Sequence, residues 1–387
     1  MRNKKINIVV GGRFHAGQLY TALNNAGHDV KIYCSSPKRF FKNIDNNDIV
    51  FIPKPFQIIQ KITKKRLPKY LHEIDKIFFG KICSFIIRDC DILWGFNGDS
   101  LEAAKKLVTN KTYFILDRAC PHIDHQNDLL IKESRKLKYS YNSFNKKSLS
   151  KYISEYNLAD LIVVPSQYSA SSFLEEGYAN KLKILPLDSN ISKLSTSFKN
   201  FKSIGKPHKL RIGVVGGSFL RKGLVYLLRA LRSIEDRHNI QLLIRAPKNN
   251  ILLHEESRHL CKELDVEFVP HLDDLNDFYQ SIDIFVLPSI DEGFGMVVFE
   301  ALMNNVAVIA SDHVGSIDGM VDGEHALIFK SGDEHALKEK MLMILKDNDL
   351  RDRIAENGNI FYESRVNNGD TFQANIGQII NSLSNEI

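Results

Sequence analysis

No apolar run in the chain approaches the ~18 residues that a membrane-spanning helix requires, so an integral membrane protein is not expected. The N-terminus is basic and then apolar, Met1-Arg-Asn-Lys-Lys-Ile-Asn-Ile-Val-Val10. Its apolar part is too short for the core of a signal peptide and runs into Gly11-Gly12 with no cleavage-like site, so it reads as a first buried strand. Cysteines are few: Cys34, Cys83, Cys90, Cys120 and Cys261 are odd in number, scattered, and form no Cys-x-x-Cys pair. That pattern argues against a zinc site or a disulfide framework and for reduced thiols in a cytoplasm. The loop after the first strand lacks Gly-x-Gly-x-x-Gly, the dinucleotide fingerprint. Zinc-finger, RNP-like and helix-turn-helix patterns are missing too, which excludes nucleic acid as the expected partner.

What is present is an ordinary globular composition, 43% apolar and 25% charged over 387 residues. That length predicts two domains with ample core. The net charge of +6 divides unevenly. Residues 1–189 carry 30 Lys and Arg against 18 Asp and Glu, a balance of +12, and the rest carry 22 against 28, a balance of −6. The basic half suits an anionic membrane surface or an acidic substrate. Its most basic segment, 54–81, sets Lys54, Lys61, Lys64, Lys65, Arg66, Lys69, Lys76 and Lys81 among isoleucines and aromatics at roughly helical spacing, broken at Pro68. A solvated helix with one core face explains that pattern, and so does a basic amphipathic helix on anionic lipid, at about 1 kcal/mol per basic residue near the surface.

Strand-like runs alternate with helical periodicity throughout, which predicts an α/β fold of two doubly wound domains facing across a cleft. Residues 1–189 form the first domain. A Ser-, Asn- and Lys-rich linker spans 190–208, and the charge changes sign there. Residues 209–370 form the second domain, and 371–387 form a C-terminal helix expected to pack back on the first. Helices are expected near 333–346, 348–358 and 371–385, and a long charged helical region over 124–157 with a break near Ser140–Asn145. Ser166 is the expected N-cap of the helix that follows Pro165.

The most informative stretch is Ile284-Phe-Val-Leu-Pro-Ser-Ile-Asp-Glu-Gly-Phe-Gly-Met-Val-Val-Phe-Glu-Ala-Leu-Met303. A short apolar strand ends at Pro288, a loop with Gly293 and Gly295 turns, and an apolar helix follows. A glycine loop feeding a helix N-terminus attracts anions, because unpaired backbone N–H groups and the helix dipole point the same way. Glu292 and Glu300 bracket it. Eight residues of helix would hold them ~12 Å apart, too far for the ~5 Å or ~6.5–9.5 Å carboxylate pairs of glycosidases, so separate binding tasks are expected. A second glycine loop, Gly216-Gly-Ser-Phe-Leu-Arg-Lys-Gly223, feeds another helix with two basic side chains. His122, in Asp117-Arg-Ala-Cys-Pro-His122, follows a strand, and Gly11 and Gly12 follow the first; ligands in such sheets gather at the carboxyl ends of strands.

The segment Pro288 to Leu302 resembles the signature of the retaining family-4 glycosyltransferases of the GT-B fold. Arg221-Lys222-Gly223 is similar to that family's glycine-loop lysine, and Val269-Pro-His-Leu272 to its base-binding turn. Asp117-Arg118 through His122 is similar to the segment that carries its donor-site histidine. The resemblance implies transfer of a hexosyl group, with retention and without a metal or other cofactor, from a nucleotide-diphosphate sugar to a saccharide or lipid-linked acceptor, in cell-surface polysaccharide or glycoconjugate synthesis. It implies that Glu300 holds the ribose, Glu292 and His122 the sugar, and Lys222 the diphosphate, with His122, Lys222 and Glu292 the catalytic set. Backbone groups of Gly217, Ser218, Gly293, Phe294, Gly295, Met296 and Val297 would line the donor site with Arg221, Arg245, His271 and Leu272, closed over by Gly11 and Gly12. The pattern departs from the family at Gly216, where an arginine is usual, and at Arg245-Ala-Pro247, where a glycine pair is usual. A cytoplasmic protein, peripheral on the inner face of the membrane through 54–81, is the expected location. The competing readings are a non-catalytic binding subunit on the same fold and a nucleotide-sugar epimerase.

Overall fold

The computed structural model describes residues 3–41, 44–63, 69–141, 143–189, 209–270 and 275–383. The expected linker 190–208, His271, Leu272, and the basic residues Lys64, Lys65 and Arg66 lie outside the described residues.

The N-terminal half runs β1 (Lys5–Val10), α1 (Ala16–Asn25), β2 (Asp29–Cys34), β3 (Ile49–Phe51), α2 (Pro55–Thr63), α3 (Lys69–Ile86), β4 (Ile92–Phe96), α4 (Leu101–Leu107), β5 (Tyr113–Asp117), α5 (Ile123–Lys136), α6 (Lys146–Leu158), β6 (Leu161–Val164), α7 (Gln167–Glu175) and β7 (Leu182–Ile184). The C-terminal half runs β8 (Leu210–Val215), α8 (Leu224–Arg232), β9 (Ile240–Arg245), α9 (Lys248–Leu252), α10 (Glu255–Glu263), β10 (Val266–Phe268), α11 (Asn276–Gln280), β11 (Ile284–Leu287), α12 (Met296–Met303), β12 (Ala307–Ser311), β13 (Leu327–Phe329), α13 (Glu334–Lys346), α14 (Asn348–Asn367) and α15 (Phe372–Ser382).

Strands buried on both faces read as continuous apolar runs; every residue of β11 and β12 is buried, as is all of β4. Among the described residues they form two wholly parallel sheets, ordered β3-β2-β1-β4-β5-β6-β7 and β10-β9-β8-β11-β12-β13. Ile8 lies opposite Ile32 and Trp94, and Ile212 opposite Leu242 and Ile284. In each sheet the chain winds outward from its first strand, then returns to the strand on that strand's other side. That reversal opens a crevice at the carboxyl ends, between β1 and β4 in one sheet and between β8 and β11 in the other.

The edge strands β3 and β13 have only three residues each, too few to show a period in the sequence. The expected helix over 124–157 divides into α5 and α6, and the Asn145 side chain caps α6 by accepting from Ser148 N at 2.8 Å. Ser166 caps α7, accepting from Ser169 N at 3.1 Å. Helix α14 extends past its expected end near 358, because Gly358 sits within it and Asn359 donates to Leu302 O at 2.9 Å. Helix α15 packs on α1: Phe372, Ile376 and Ile379 are buried, and the Phe372 ring lies 5.5 Å from that of His15.

Candidate active site

The loops after β8 and β11 meet at the crevice of the second sheet. The carbonyl of Arg221 accepts from Ile290 N at 2.8 Å and Asp291 N at 3.3 Å, so the two loops are hydrogen-bonded together. On that support Lys222 Nζ lies 2.5 Å from Glu292 Oε2, and Arg221 Nη1 lies 3.1 Å from the same oxygen. Arg221 Nη1 also donates to the carbonyl of Asp291 at 3.0 Å. Burial pushes the Glu292 carboxyl up, but Lys222 and Arg221 outweigh it and hold the group below its ordinary value. Burial lowers the Lys222 amine, against the pull of Glu292. The stem of Lys222 lies over Gly216: a Cβ there would come within 2.7 Å of Lys222 Cε, and Gly216 has φ +138°. The departure from arginine at 216 therefore goes with the path of Lys222 itself.

Helix α12 begins at Met296, so Glu292 stands in the loop and only Glu300 is helical. Four helical steps from Met296 to Glu300 rise about 6 Å, and the ~12 Å separation expected for a continuous helix does not apply. Glu300 is buried and accepts from Tyr279 Oη at 2.9 Å. Burial raises its carboxyl, opposed by that hydrogen bond and by the charges of Arg245 and Lys222. Arg245 thus belongs to the surroundings of Glu300 instead of the open surface. Gly217 accepts from Asn250 Nδ2 at 3.2 Å, Ser218 is exposed, and the carbonyl of Ser218 accepts from Lys222 N at 2.8 Å. Phe294 is buried against Phe299, at 5.3 Å between rings, and Gly293 and Gly295 are buried with it; Met296 and Val297 are half-buried at the start of α12.

The structure does not bring His122 to this group. Its ring turns into the N-terminal half, 4.8 Å from Tyr156, 5.1 Å from Phe173 and 5.8 Å from Tyr178. Both ring nitrogens are buried without a hydrogen-bond partner among the described residues. Burial, with Arg118 and His125 nearby, pushes the imidazole down to about 4. His122 is a neutral aromatic packing residue at the point where the chain enters α5. Gly11 is likewise held within its own half: its N–H donates to Asp99 Oδ2 at 2.9 Å, and its carbonyl accepts from Lys54 Nζ at 2.7 Å. Lys54 and Asp99 are themselves a buried ion pair at 3.3 Å. Gly12 lies beneath the Phe14 ring.

Among the N-terminal residues that reach the site are Ala119 and Cys120. A Cβ on Gly293 would lie 2.2 Å from Ala119 O and 2.7 Å from Cys120 Cα. Burial raises the Cys120 thiol, while Arg118 and Arg221 lower it and Asp291 and Glu292 add to the rise. Nothing in the sequence distinguishes Cys120 except its place after β5.

Residues 196–360 match the model of the family "Glycosyl transferases group 1". The matched span runs through the C-terminal half, from β8 into α14. The chain is 32% identical over 189 residues to the capsular polysaccharide biosynthesis glycosyltransferase CapM of Staphylococcus aureus, covering 46% of this chain and 50% of that protein. It is 26% identical over 178 residues to the N,N'-diacetylbacillosaminyl-diphospho-undecaprenol alpha-1,3-N-acetylgalactosaminyltransferase of Campylobacter jejuni, covering 46% of each. The chain spans about half the length of the curated relatives it matches. Among solved structures, sucrose-phosphate synthase of Thermosynechococcus elongatus superposes with a TM-score of 0.72 at 16% identity, over 99% of both chains. The fold is GT-B. The matched span contains Arg221, Lys222, Arg245, Glu292 and Glu300, so the ion-paired group and the buried carboxylate both lie within it.

Proposed function

We propose that this protein is a retaining, metal-independent hexosyltransferase that moves a sugar from a nucleotide-diphosphate donor to a saccharide or lipid-linked acceptor, in cell-surface polysaccharide or glycoconjugate synthesis. The observation that carries the reading is the ion-paired Lys222–Glu292–Arg221 group, with Lys222 buried and its partners half-buried, at the crevice between β8 and β11. Breaking the anomeric bond leaves negative charge on the diphosphate. Lys222, Arg221 and the N-terminus of α12 supply positive potential there. The helix end is worth only about 0.3–2 kcal/mol, so the two side chains carry most of the stabilisation, and no divalent cation is required. Diphosphate oxygens take over part of the coordination that Glu292 provides to Lys222, which frees the Glu292 carboxylate for a sugar hydroxyl. Glu300, set by Tyr279 and faced by Arg245, holds the ribose. Residues 209–370 are the donor side and 1–189 the acceptor side, with Cys120 in the place across the cleft expected for His122. CapM and the Campylobacter enzyme, by their names, act in capsule synthesis and on an undecaprenol-linked substrate, which supports a saccharide or lipid-linked acceptor here.

The membrane proposal rests on α2 and α3. Asp75 of α3 accepts from Phe56 N at 3.0 Å and Gln57 N at 2.8 Å, which fixes the two helices together. Their outer faces expose Ile58, Ile59, Ile62, Phe78 and Phe85, the last 85% accessible, with Lys81 and Arg88 beside it. No helix among the described residues is long and apolar enough to cross a membrane; the exposed apolar side chains and the neighbouring cations are what support seating this pair on an anionic bilayer. Sedimentation with phosphatidylglycerol vesicles at low salt captures the protein, and Phe85→Glu abolishes capture; failure of the wild-type chain to sediment refutes the attachment.

The function is tested by a thermal-shift screen with UDP, GDP, ADP and their sugars, since a ligand of the folded state stabilises by RT ln(1 + [L]/Kd). The donor found there then releases its diphosphate only when acceptor is added. Interconversion of the donor sugar without release would identify an epimerase, and no turnover of any bound donor would identify a binding subunit.

A further inference from the structure

Asp291 precedes Glu292 and is 0% exposed. A buried carboxylate is costly unless its oxygens are matched by donors. Both donors come from the opposite half of the chain: Tyr168 Oη of α7 donates to Oδ1 at 3.1 Å, and the side-chain amide of Gln126 of α5 donates to Oδ2. Gln126 is itself oriented, because its Oε1 accepts from Arg118 Nη2 at 2.9 Å, and Arg118 Nε donates to Pro121 O at 3.0 Å. Tyr168 is stacked on His313 with ring centroids 5.1 Å apart, and His313 Nδ1 lies 2.8 Å from Ile290 O in the same loop. The main chain of Asp291 faces the other way, its carbonyl accepting from the guanidinium of Arg221 that also touches Glu292.

One residue therefore joins the N-terminal half, through its side chain, to the Arg221–Glu292–Lys222 group, through its backbone. The next peptides are gripped as well: Ser166 Oγ and Ser169 Oγ donate to Gly293 O at 2.6 Å and 3.2 Å. Separating the halves strips the Asp291 carboxylate of both donors and leaves it beside Glu292, a like charge, where it competes for Arg221. Resting on the transferase reading above, we propose that Asp291 is a positioning residue. Docking of Gln126 and Tyr168 on its carboxylate sets the loop so that Arg221, Lys222 and Glu292 take their working geometry only when the two halves are together.

Gln126→Glu places a carboxylate against Asp291, and Tyr168→Phe removes one donor. Both leave the C-terminal half's own contacts intact. With the nucleotide that shifts the wild-type melting temperature most, calorimetric Kd changes less than threefold in either variant. Turnover falls at least tenfold in Gln126→Glu and several-fold in Tyr168→Phe, and the small-angle scattering radius of gyration rises in Gln126→Glu. The double variant Gln126→Glu/Asp291→Asn exchanges acceptor and donor across the same contact and recovers both compactness and most of the lost turnover. Wild-type turnover in Gln126→Glu, nucleotide affinity lost in step with turnover, or no recovery in the double variant would each overturn the assignment. Scattering tests the contact even if the wild-type chain transfers no sugar: Gln126→Glu as compact as wild type refutes it, whereas absent transfer with an expanded Gln126→Glu refutes only the transferase reading.

Discussion

Replacing Gly293 by alanine adds one methyl group where the two halves touch. Gly293 does not have a positive φ, so alanine suits its backbone and the C-terminal half is free to fold. The obstacle is the opposite half: the new carbon would sit 2.2 Å from Ala119 O, 2.7 Å from Cys120 Cα and 2.9 Å from Ala119 C. Non-bonded carbons settle at about 3.5–4.0 Å, and all three obstructing atoms are backbone, which has no rotamer to yield. The segment 119–120 must retreat by roughly 1 Å or more, against the Ser166 and Ser169 hydroxyls of the same half that hold Gly293 O in place. A displacement of about 1 Å at a reacting centre can cost 10²-fold, equivalent to about 2.7 kcal/mol in the barrier. Steady-state kinetics with the identified donor should therefore show turnover lower by about 10²-fold, with the nucleotide Kd from calorimetry nearly unchanged. The reasoning is refuted if Gly293→Ala turns over at the wild-type rate, or if it loses nucleotide affinity as fast as it loses turnover.

Lys222→Ala leaves Glu292 with Arg221 alone and removes the main cation from the leaving diphosphate; kinetics should show kcat reduced by about 10²–10³-fold, and a change confined to acceptor KM would refute the role. His122→Phe addresses the buried imidazole. Because the folded chain holds its pKa down at about 4, against 6.5 ordinarily, the unfolded chain binds the extra proton between those values. The stabilisation is complete above pH 6.5 and is lost as pH falls from 6.5 towards 4, by about 3 kcal/mol in all and about 2 kcal/mol at pH 5. Urea unfolding at pH 7 and pH 5 should show that this part of the pH dependence disappears in His122→Phe. Turnover at pH 7 should be retained, and its loss in a stably folded variant would return His122 to the donor site.

Much of the site was legible because its signals are local. The run Ile284–Leu287 has the apolar continuity of a central parallel strand, Gly293 and Gly295 mark the turn, and Glu292 and Glu300 stand at fixed places around it. The same holds for Gly216 to Gly223 after β8, for the cap at Ser166 and for the break near Ser140–Asn145. Where local signals conflict with tertiary demands they misled: Gly358 reads as a helix stop yet lies inside α14.

The sequence by itself determined the alternation of strands and helices and which loops carry charge and glycine, because burial period and turn chemistry are written residue by residue. Strand order decided the rest. Lys222 and Glu292 are seventy residues apart in the chain and 2.5 Å apart in space because β8 and β11 are neighbours across the crevice. The direction of a side chain in a loop has no periodic signature, so His122 turned into an aromatic core while Cys120, two residues earlier, met the donor loop. Asp291 gained its partners only when α5 and α7 came against it, since a buried carboxylate is defined by the donors that the other half of the molecule brings.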